Sequence, residues 1–333
     1  MFLSAFGASK PLIPPAPNYA GVNFRTGSYS GPIDNLYGVQ EKRNVYCAGN
    51  FATLYASSNS PYQTKLAMSF NGAAWTATNL PSYGGDNSTQ ELWTDKTQFL
   101  AYQGNAGGRL IKSSNGTTWT FAGFPNLSLL GSSARFWLYS NGIYLCVCID
   151  HASHIIYSCY STDLSNWANF QQSIDASILY ITAASSSNAS GFTVLTADGS
   201  ILRSYDGLSW TQETQSSYLQ NSVCIVEKDG IQFFPSISGG SILYNNGVYT
   251  EKPAITFGSS ETPDIGHYIN GVYAVGSLAG SIITSTDLTN WTIKISSVSS
   301  TNNVKFFGSD GNTELLMLVS NFDGTNLRNV YSP

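Results

Sequence analysis

Gly199-Ser200-Ile201-Leu202-Arg203-Ser204-Tyr205-Asp206-Gly207-Leu208-Ser209-Trp210-Thr211 decides the reading of the chain, because versions of it recur along most of its length. Gly280 to Thr292 repeats it as Gly-Ser-Ile-Ile-Thr-Ser-Thr-Asp-Leu-Thr-Asn-Trp-Thr, and Gly108 to Thr120 as Gly-Arg-Leu-Ile-Lys-Ser-Ser-Asn-Gly-Thr-Thr-Trp-Thr. A weaker copy carries Asn71 and Trp75, another carries Asp163 and Trp167, and Gly240 to Thr250 is a copy without the Trp. Ser-Ile-Leu-Arg-Ser has β-favouring residues at its centre. Asp-Gly then breaks the strand. An Asp or Asn there accepts a hydrogen bond from a backbone N–H two residues on. Gly, or the Asn of Asp-Leu-Ser-Asn-Trp, is expected at the left-handed position such a turn needs. Trp lies over the turn and shields it. Each copy is thus a β-hairpin with a Trp stud, and Asn71, Asn115, Asp163, Asp206 and Asp287, with Trp75, Trp119, Trp167, Trp210 and Trp291, are read as structural turn residues. A ligand-binding role for these Asp residues is the alternative, and repetition in every hairpin weighs against it.

Successive motif tryptophans stand 44, 48 and 43 residues apart, and Trp210 to Trp291 spans 81, two periods with the Tyr249 copy between. Upstream of the hairpins lies a second signal, an Asn-Gly or Asp-Gly turn into an apolar strand, as in Asn141-Gly142-Ile143-Tyr144-Leu145-Cys146-Val147. Strand-rich units of this period imply a β-propeller with one four-stranded sheet per repeat. The expected fold is all-β, a seven-bladed β-propeller with six or eight blades as alternatives. Blades are placed near 33–80, 81–124, 125–172, 173–215, 216–255 and 256–297, with a seventh from Asn303. That seventh blade lacks its last strand, and the strand-like segment Asn18–Arg25 is expected to supply it by pairing with Leu327–Tyr331, Val22 facing the neighbourhood of Val330. Residues 1–17 form an N-terminal arm and Pro-rich linker, and 18–333 the propeller. Phe2, Leu3 and Phe6 make an apolar cluster on the arm, read as an assembly element.

Ser-x-Asp-Gly-x-x-Trp resembles the Asp-box, or bacterial neuraminidase, repeat over nearly the whole chain after residue 33, although the full pattern spaces Asp and Gly by one residue. The resemblance implies a propeller hairpin and no catalytic role for the motif itself. Ser-Thr-Asp-Leu-Ser-Asn-Trp is also similar to hairpins of arabinanase-type glycosidase propellers. In composition the chain resembles propeller proteins of tailed-phage virions.

Of the 333 residues, 42% are hydrophobic, 13% aromatic and only 11% charged, so the surface is neutral and polar. A net charge of −5 and a pI near 5.1 argue against a nucleic-acid partner. No apolar run reaches the roughly 18 residues of a membrane helix, and the N-terminus lacks the basic lead of a secretory signal. Five cysteines with no C-x-x-C pair read as buried free thiols, with no metal site and no cofactor.

A sialidase clamps its substrate carboxylate with three arginines. The six here are Arg25, Arg43, Arg109, Arg135, Arg203 and Arg328, and Arg109 and Arg203 fall in third strands, away from the channel. Asp34, Glu41, Glu91, Glu227 and Asp264 lie near innermost strands, but no spacing singles out a catalytic pair. His151-x-x-His154 with Asp150 falls in a loop and His267 stands alone. No catalytic residue is assigned. Trp93 and Trp137, 44 residues apart, are read as occupying matching places in blades 2 and 3, as core aromatics or as a sugar-stacking platform. The function expected is a non-enzymatic structural or attachment propeller of a virion, assembled in the host cytoplasm. The arm binds other virion proteins, and loops are left for a host receptor, a glycan or a capsid or tail protein. A glycan-acting glycosidase of sialidase or arabinanase type is the alternative.

Overall fold

The computed structural model of the protein describes residues 25–28, 44–56, 64–69, 76–81, 89–104, 108–125, 127, 135–220, 222–228, 230–257, 261–269, 272–277, 279, 281–295, 302–309, 315–321 and 328–332. The arm with Phe2, Leu3 and Phe6, the first motif copy with Asn71 and Trp75, and Asp34 and Glu41 lie outside the described residues.

Strand β1 (Arg25–Ser28) stands apart from the strands that follow it. Six blades then succeed one another, each an antiparallel sheet of four consecutive strands. The first holds β2 (Asn44–Cys47), β3 (Asn50–Ala56), β4 (Thr64–Ser69) and β5 (Thr76–Asn79). The second holds β6 (Thr89–Thr94), β7 (Phe99–Gln103), β8 (Arg109–Ser113) and β9 (Thr120–Gly123). The third holds β10 (Phe136–Ser140), β11 (Ile143–Asp150), β12 (Ile155–Ser161) and β13 (Ala168–Ser173). The fourth holds β14 (Ile181–Ser187), β15 (Gly191–Thr196), β16 (Ser200–Ser204) and β17 (Thr211–Gln215). The fifth holds β18 (Val226–Lys228), β19 (Ile231–Phe234), β20 (Ser241–Asn245) and β21 (Val248–Lys252). The sixth holds β22 (Pro263–Ile269), β23 (Val272–Ser277), β24 (Ile282–Ser285) and β25 (Thr292–Ile295). The one helical element among the described residues is a 3-10 turn at Ser217–Leu219.

The seven-bladed count is corrected in kind. The blades of continuous chain number six, and the sheet between the sixth and the first is a composite of both chain ends. Its strands are β26 (Asn302–Ser309), β27 (Leu315–Asn321) and β28 (Arg328–Ser332), with β1 on the outside in the order β1-β28-β27-β26. Its innermost strand β26 lies against β22 on one side and β2 on the other, so the composite sheet closes the ring. The closing strand is also corrected. It is Arg25–Ser28 and not Asn18–Arg25, and Thr26, not Val22, pairs with Val330. The extra residues between the first motif copy and the arm had hidden the register, because a strand slipped by several residues keeps a plausible alternation.

The first and third strands of each blade run from one end of the ring to the other, and the second and fourth return. One end therefore carries the first-to-second and third-to-fourth turns, including the Ser/Asp–Trp turns, and is the turn end. The opposite end carries the second-to-third turns and the connections between blades, and is the connection end. Second and third strands carry most of the core, and Phe99–Gln103, Gly191–Thr196 and Ser200–Ser204 are buried along their length. The fourth strands are largely exposed, as in Thr211–Gln215. The core is thus a series of apolar layers between neighbouring blades.

Candidate functional site

The Ser/Asp–Trp turns are closed by their own side chains. In the third blade the Asp163 carboxylate accepts the Ser165 and Asn166 N–H groups at 2.8 Å each and the Asn166 amide at 2.7 Å. The Ser161 hydroxyl accepts the Leu164 N–H at 2.9 Å, and the Trp167 indole donates to Leu164 O at 2.8 Å. Asn115, Asp206 and Asp287 accept the matching pair of backbone N–H groups. The Trp119 indole donates to Gly116 O as Trp167 does to Leu164 O, whereas the Trp210 indole donates to Ser158 Oγ at 3.0 Å. The Asn166 hydrogen bonds, backbone first, hold the Asp163 carboxyl at about 2. Both Asp163 carboxylate oxygens are thus engaged inside the turn.

The left-handed residue of these turns is corrected from Asn to Leu. Leu164 has φ 66° and Leu288 φ 60°, where Gly116 and Gly207 have 73° and 75°. Both leucines are buried, so apolar burial offsets the conformational cost. Where the residue is Gly, the preceding blade fills the space instead: a Cβ on Gly116 would meet the Met68 sulfur, and one on Gly207 would lie 3.2 Å from a Leu145 methyl. The motif tryptophans Trp119, Trp167, Trp210 and Trp291 each join the apolar layer toward the preceding blade.

Trp93 and Trp137 are 6% and 8% exposed and stack on each other, centroids 4.4 Å apart at 18°. They face one another across the interface of the second and third blades, with Tyr102 and Trp167 around Trp137. They therefore do not occupy matching places, and their packing against each other replaces the sugar platform. His151 and His154 stand in the β11–β12 turn, where Asp150 accepts the Ala152 N–H and the Ser153 hydroxyl. Among the described residues no group of three or more His, Cys, Asp or Glu is placed to hold a metal ion. The five cysteines are buried and none forms a disulfide, and burial raises the Cys148 thiol to about 12. No helix among the described residues is long and apolar enough to cross a membrane.

The interface of the fourth and fifth blades holds a buried polar cluster. At the turn end of the innermost hairpin, the cross-strand pair toward the preceding blade is Tyr46–Phe51, Tyr139–Tyr144 or Tyr268–Tyr273 in the first, third and sixth blades. In the fifth blade it is Glu227–Gln232. The same blade carries Tyr249 where the others carry Trp. The fourth blade answers with Arg203, 1% exposed, whose guanidinium donates to Ser190 O, Thr193 Oγ1 and Gln232 Oε1 at 2.9 Å each. It also reaches Tyr249 Oη at 3.4 Å and pairs with Glu213 at 3.5 Å. The Gln232 amide donates to Glu227 at 2.5 Å, and the Ser190 and Ser185 hydroxyls reach the same carboxylate at 2.7 and 3.0 Å. This polar seam runs from the innermost strand to the outer one. Of the residues singled out in the sequence it joins Glu227 and Arg203. Gln232, Ser185, Ser190, Thr193 and Tyr249 were missed, although the lost Trp of the fifth blade marked the place. Glu227 is bound on both oxygens by the seam, so the arrangement is an interlock between blades and not an acid–base pair.

A second acidic residue, Asp95, is held alike in the β6–β7 turn. It accepts the Thr97 and Gln98 N–H groups at 2.9 Å and the Tyr144 hydroxyl of the next blade at 2.8 Å. Burial works to raise its pKa, and the hydrogen bonds from Thr97, Gln98 and Tyr144 together outweigh it and leave the carboxyl below its usual range.

Exposed apolar side chains remain. Phe124 is 56% exposed, Leu179 39%, Tyr180 52% and Ile237 40%. All four follow fourth strands or join second to third strands, so all stand at the connection end, while Tyr205 at 59% and Val248 at 62% exposed stand at third-to-fourth turns, at the turn end. Arg109 lies over the Phe124 ring at 5.8 Å. The described chain enters at Arg25 and leaves at Ser332, both at the turn end, because β1 pairs antiparallel with β28 and Arg25 faces Tyr331.

Against solved structures the chain is a β-propeller. It is similar to YCF48 from Cyanidioschyzon merolae, with 12% identity and a TM-score of 0.63 over 93% of this chain and 99% of that one. A YCF48 structure bound to D1 peptide matches at 12% identity and a TM-score of 0.62, over 93% and 98%. The Pan2 WD40 domain of Neurospora crassa matches at 9% identity and 0.58, over 92% and 93%. Such identities establish the fold alone. No protein-family model and no curated protein matches the chain.

Proposed function

We propose that the protein is a non-enzymatic, protein-binding propeller, anchored at the turn end of its ring and presenting the connection end to a partner. The observation that carries this reading is the group of exposed apolar side chains in the loops of the connection end. The segment that precedes Arg25 leaves on one side, and Phe124, Leu179, Tyr180 and Ile237 stand on the other. Aromatic side chains among neutral polar neighbours suit adaptable protein recognition. The engaged oxygens of Asp95, Asp163 and Glu227 leave no open pair of carboxylates at these positions. A propeller fold shared with YCF48, of which a structure holds the D1 peptide, and with the Pan2 WD40 domain supports an interaction role.

The finer reading is a structural or attachment component of a tailed-phage virion, assembled in the host cytoplasm. Phe2, Leu3 and Phe6 insert into neighbouring virion proteins, and the connection end faces a receptor-bearing or tail protein. Its support is the neutral, Ser/Asn/Tyr-rich composition and the apolar arm. Sedimentation with purified particles tests it. The full chain is expected in stoichiometric amount, and a chain lacking residues 1–16 is expected to remain folded and be absent. A Leu179→Ser, Tyr180→Ser variant should still incorporate but lose its outer partner. Absence of the full chain from particles overturns the virion reading, and unchanged partner binding by the double variant overturns the use of the connection end.

A further inference from the structure

Three Asn-Gly turns lie among the described residues, and they are not chemically equivalent. In Asn115-Gly116 the side-chain Oδ1 accepts the Thr117 and Thr118 N–H groups at 2.9 and 2.8 Å, and the Gly116 N–H donates to Ser113 Oγ at 2.8 Å. In Asn141-Gly142 the side-chain amide donates to Asn188 O at 3.2 Å, and the Asn141 N–H donates to Asn188 Oδ1 at 2.9 Å. Asn246-Gly247 is the turn of the fifth blade, where the Ser and Asp of the motif are missing. Both residues are exposed, with φ 50° and 83°, and nothing lies within 4 Å of the Gly247 Cβ position. Neither the Asn246 side chain nor the Gly247 N–H takes part in a hydrogen bond among the described residues.

We propose that Asn246 is a site of spontaneous deamidation and isoaspartate formation, and that the reaction loosens the outer hairpin of the fifth blade. The Gly247 nitrogen attacks Cγ of Asn246, a C–N bond forms, the Cγ–Nδ2 bond breaks, and ammonia leaves with the proton from Gly247. Water then opens the cyclic imide at either carbonyl, giving aspartate or isoaspartate. Glycine favours the step because no Cβ obstructs the attack. In Asn115-Gly116 the attacking nitrogen and the target amide are both tied down by the turn.

The consequence follows from the register. A two-residue turn fixes Asn245 opposite Val248, and isoaspartate lengthens that turn by one backbone carbon. The next residue, Tyr249, is the one that caps Arg203.

The test is ageing of the intact, folded chain in mildly alkaline buffer, followed by peptide mass spectrometry and isoaspartate detection. Asn246 should convert first, and hydroxylamine should cleave between 246 and 247 in the fraction that still holds the cyclic imide, while the opened aspartate and isoaspartate products resist it. Asn115 should convert about a hundredfold more slowly, the factor implied by opening three hydrogen bonds that Asn246 does not make. Amide exchange over 248–252 should rise in the converted fraction. Conversion of Asn115 at the rate of Asn246, or an Asn246 that stays intact while the same bond in the urea-unfolded chain converts, overturns the assignment. Unchanged exchange over 248–252 overturns the coupling to the hairpin.

Discussion

The guanidinium carbon of Arg203 lies 3.9 Å from the centroid of the Tyr244 ring. The cation stacks on a side chain of the fifth blade while its nitrogens are held by Ser190, Thr193 and Gln232. Arg203→Ala should lower stability by about 3–5 kcal/mol, since it strands a buried hydrogen-bonded cluster. Arg203→Lys should recover little, because an ammonium has neither the fork nor the flat face of a guanidinium. Denaturant unfolding of the two variants decides it. An Arg203→Ala chain within about 0.5 kcal/mol of wild type, the range of an ordinary surface change, would sink the interlock.

Acid should open the third-blade turn before the fold. The folded Asp163 carboxyl sits at about 2, below the roughly 3.9 of an unfolded aspartate. Its contribution is therefore complete above the unfolded value and is lost as pH falls through about 2. Amide exchange at Ser165 and Asn166 should rise across that window. Asp163→Asn should keep the turn, as Asn115 does in the second blade, and abolish the pH dependence. If exchange at these amides rises equally in the Asn variant, the carboxylate is not the cause.

Trp137 is a packing residue. Trp137→Ala should cost about 3–5 kcal/mol. Because it stacks on Trp93, the double alanine variant should cost clearly less than the sum of the two. Additive losses in thermal or urea unfolding would show that the stack is not shared.

The composite sheet should be testable by a crosslink. Thr26 and Val330 are register partners, so Thr26→Cys with Val330→Cys should oxidise readily, given Cβ separations of about 4.5–5.5 Å between paired strands. Removing residues 1–16 should spare the thermal transition, and removing 1–28 should lower it by several degrees. Failure of the cysteine pair to oxidise, with Val22→Cys and Val330→Cys oxidising instead, would restore the other register.

The hairpin repeat was legible because Ser, Asp or Asn, and Trp carry its geometry locally, and the blade limits read from it fall close to the observed strands. Leu164 and Leu288 at left-handed φ were not legible. Their cost is met by burial against a neighbouring blade, which no local pattern reveals. Trp93 and Trp137 were legible as core aromatics but not as partners across one interface, since equal spacing in sequence does not say which side of a strand faces which blade. The seam was half visible. The missing Trp of the fifth blade marked an exception, but only the structure brings Arg203, Gln232 and Glu227 together.

The pairing of β1 with β28 also sets a clock on synthesis. Strand β1 is made first and its partner last, about 300 residues later. At about 5–20 residues per second the ribosome needs roughly 15–60 s to deliver β28. Through that interval Arg25–Ser28 has no strand to join, and the six continuous blades can stack in order behind it. Closure is then a single late event that waits for β28, and a strand of the same pattern from a second nascent chain can take the place of β1. Slow or crowded translation should therefore produce exchanged dimers joined through this sheet alone.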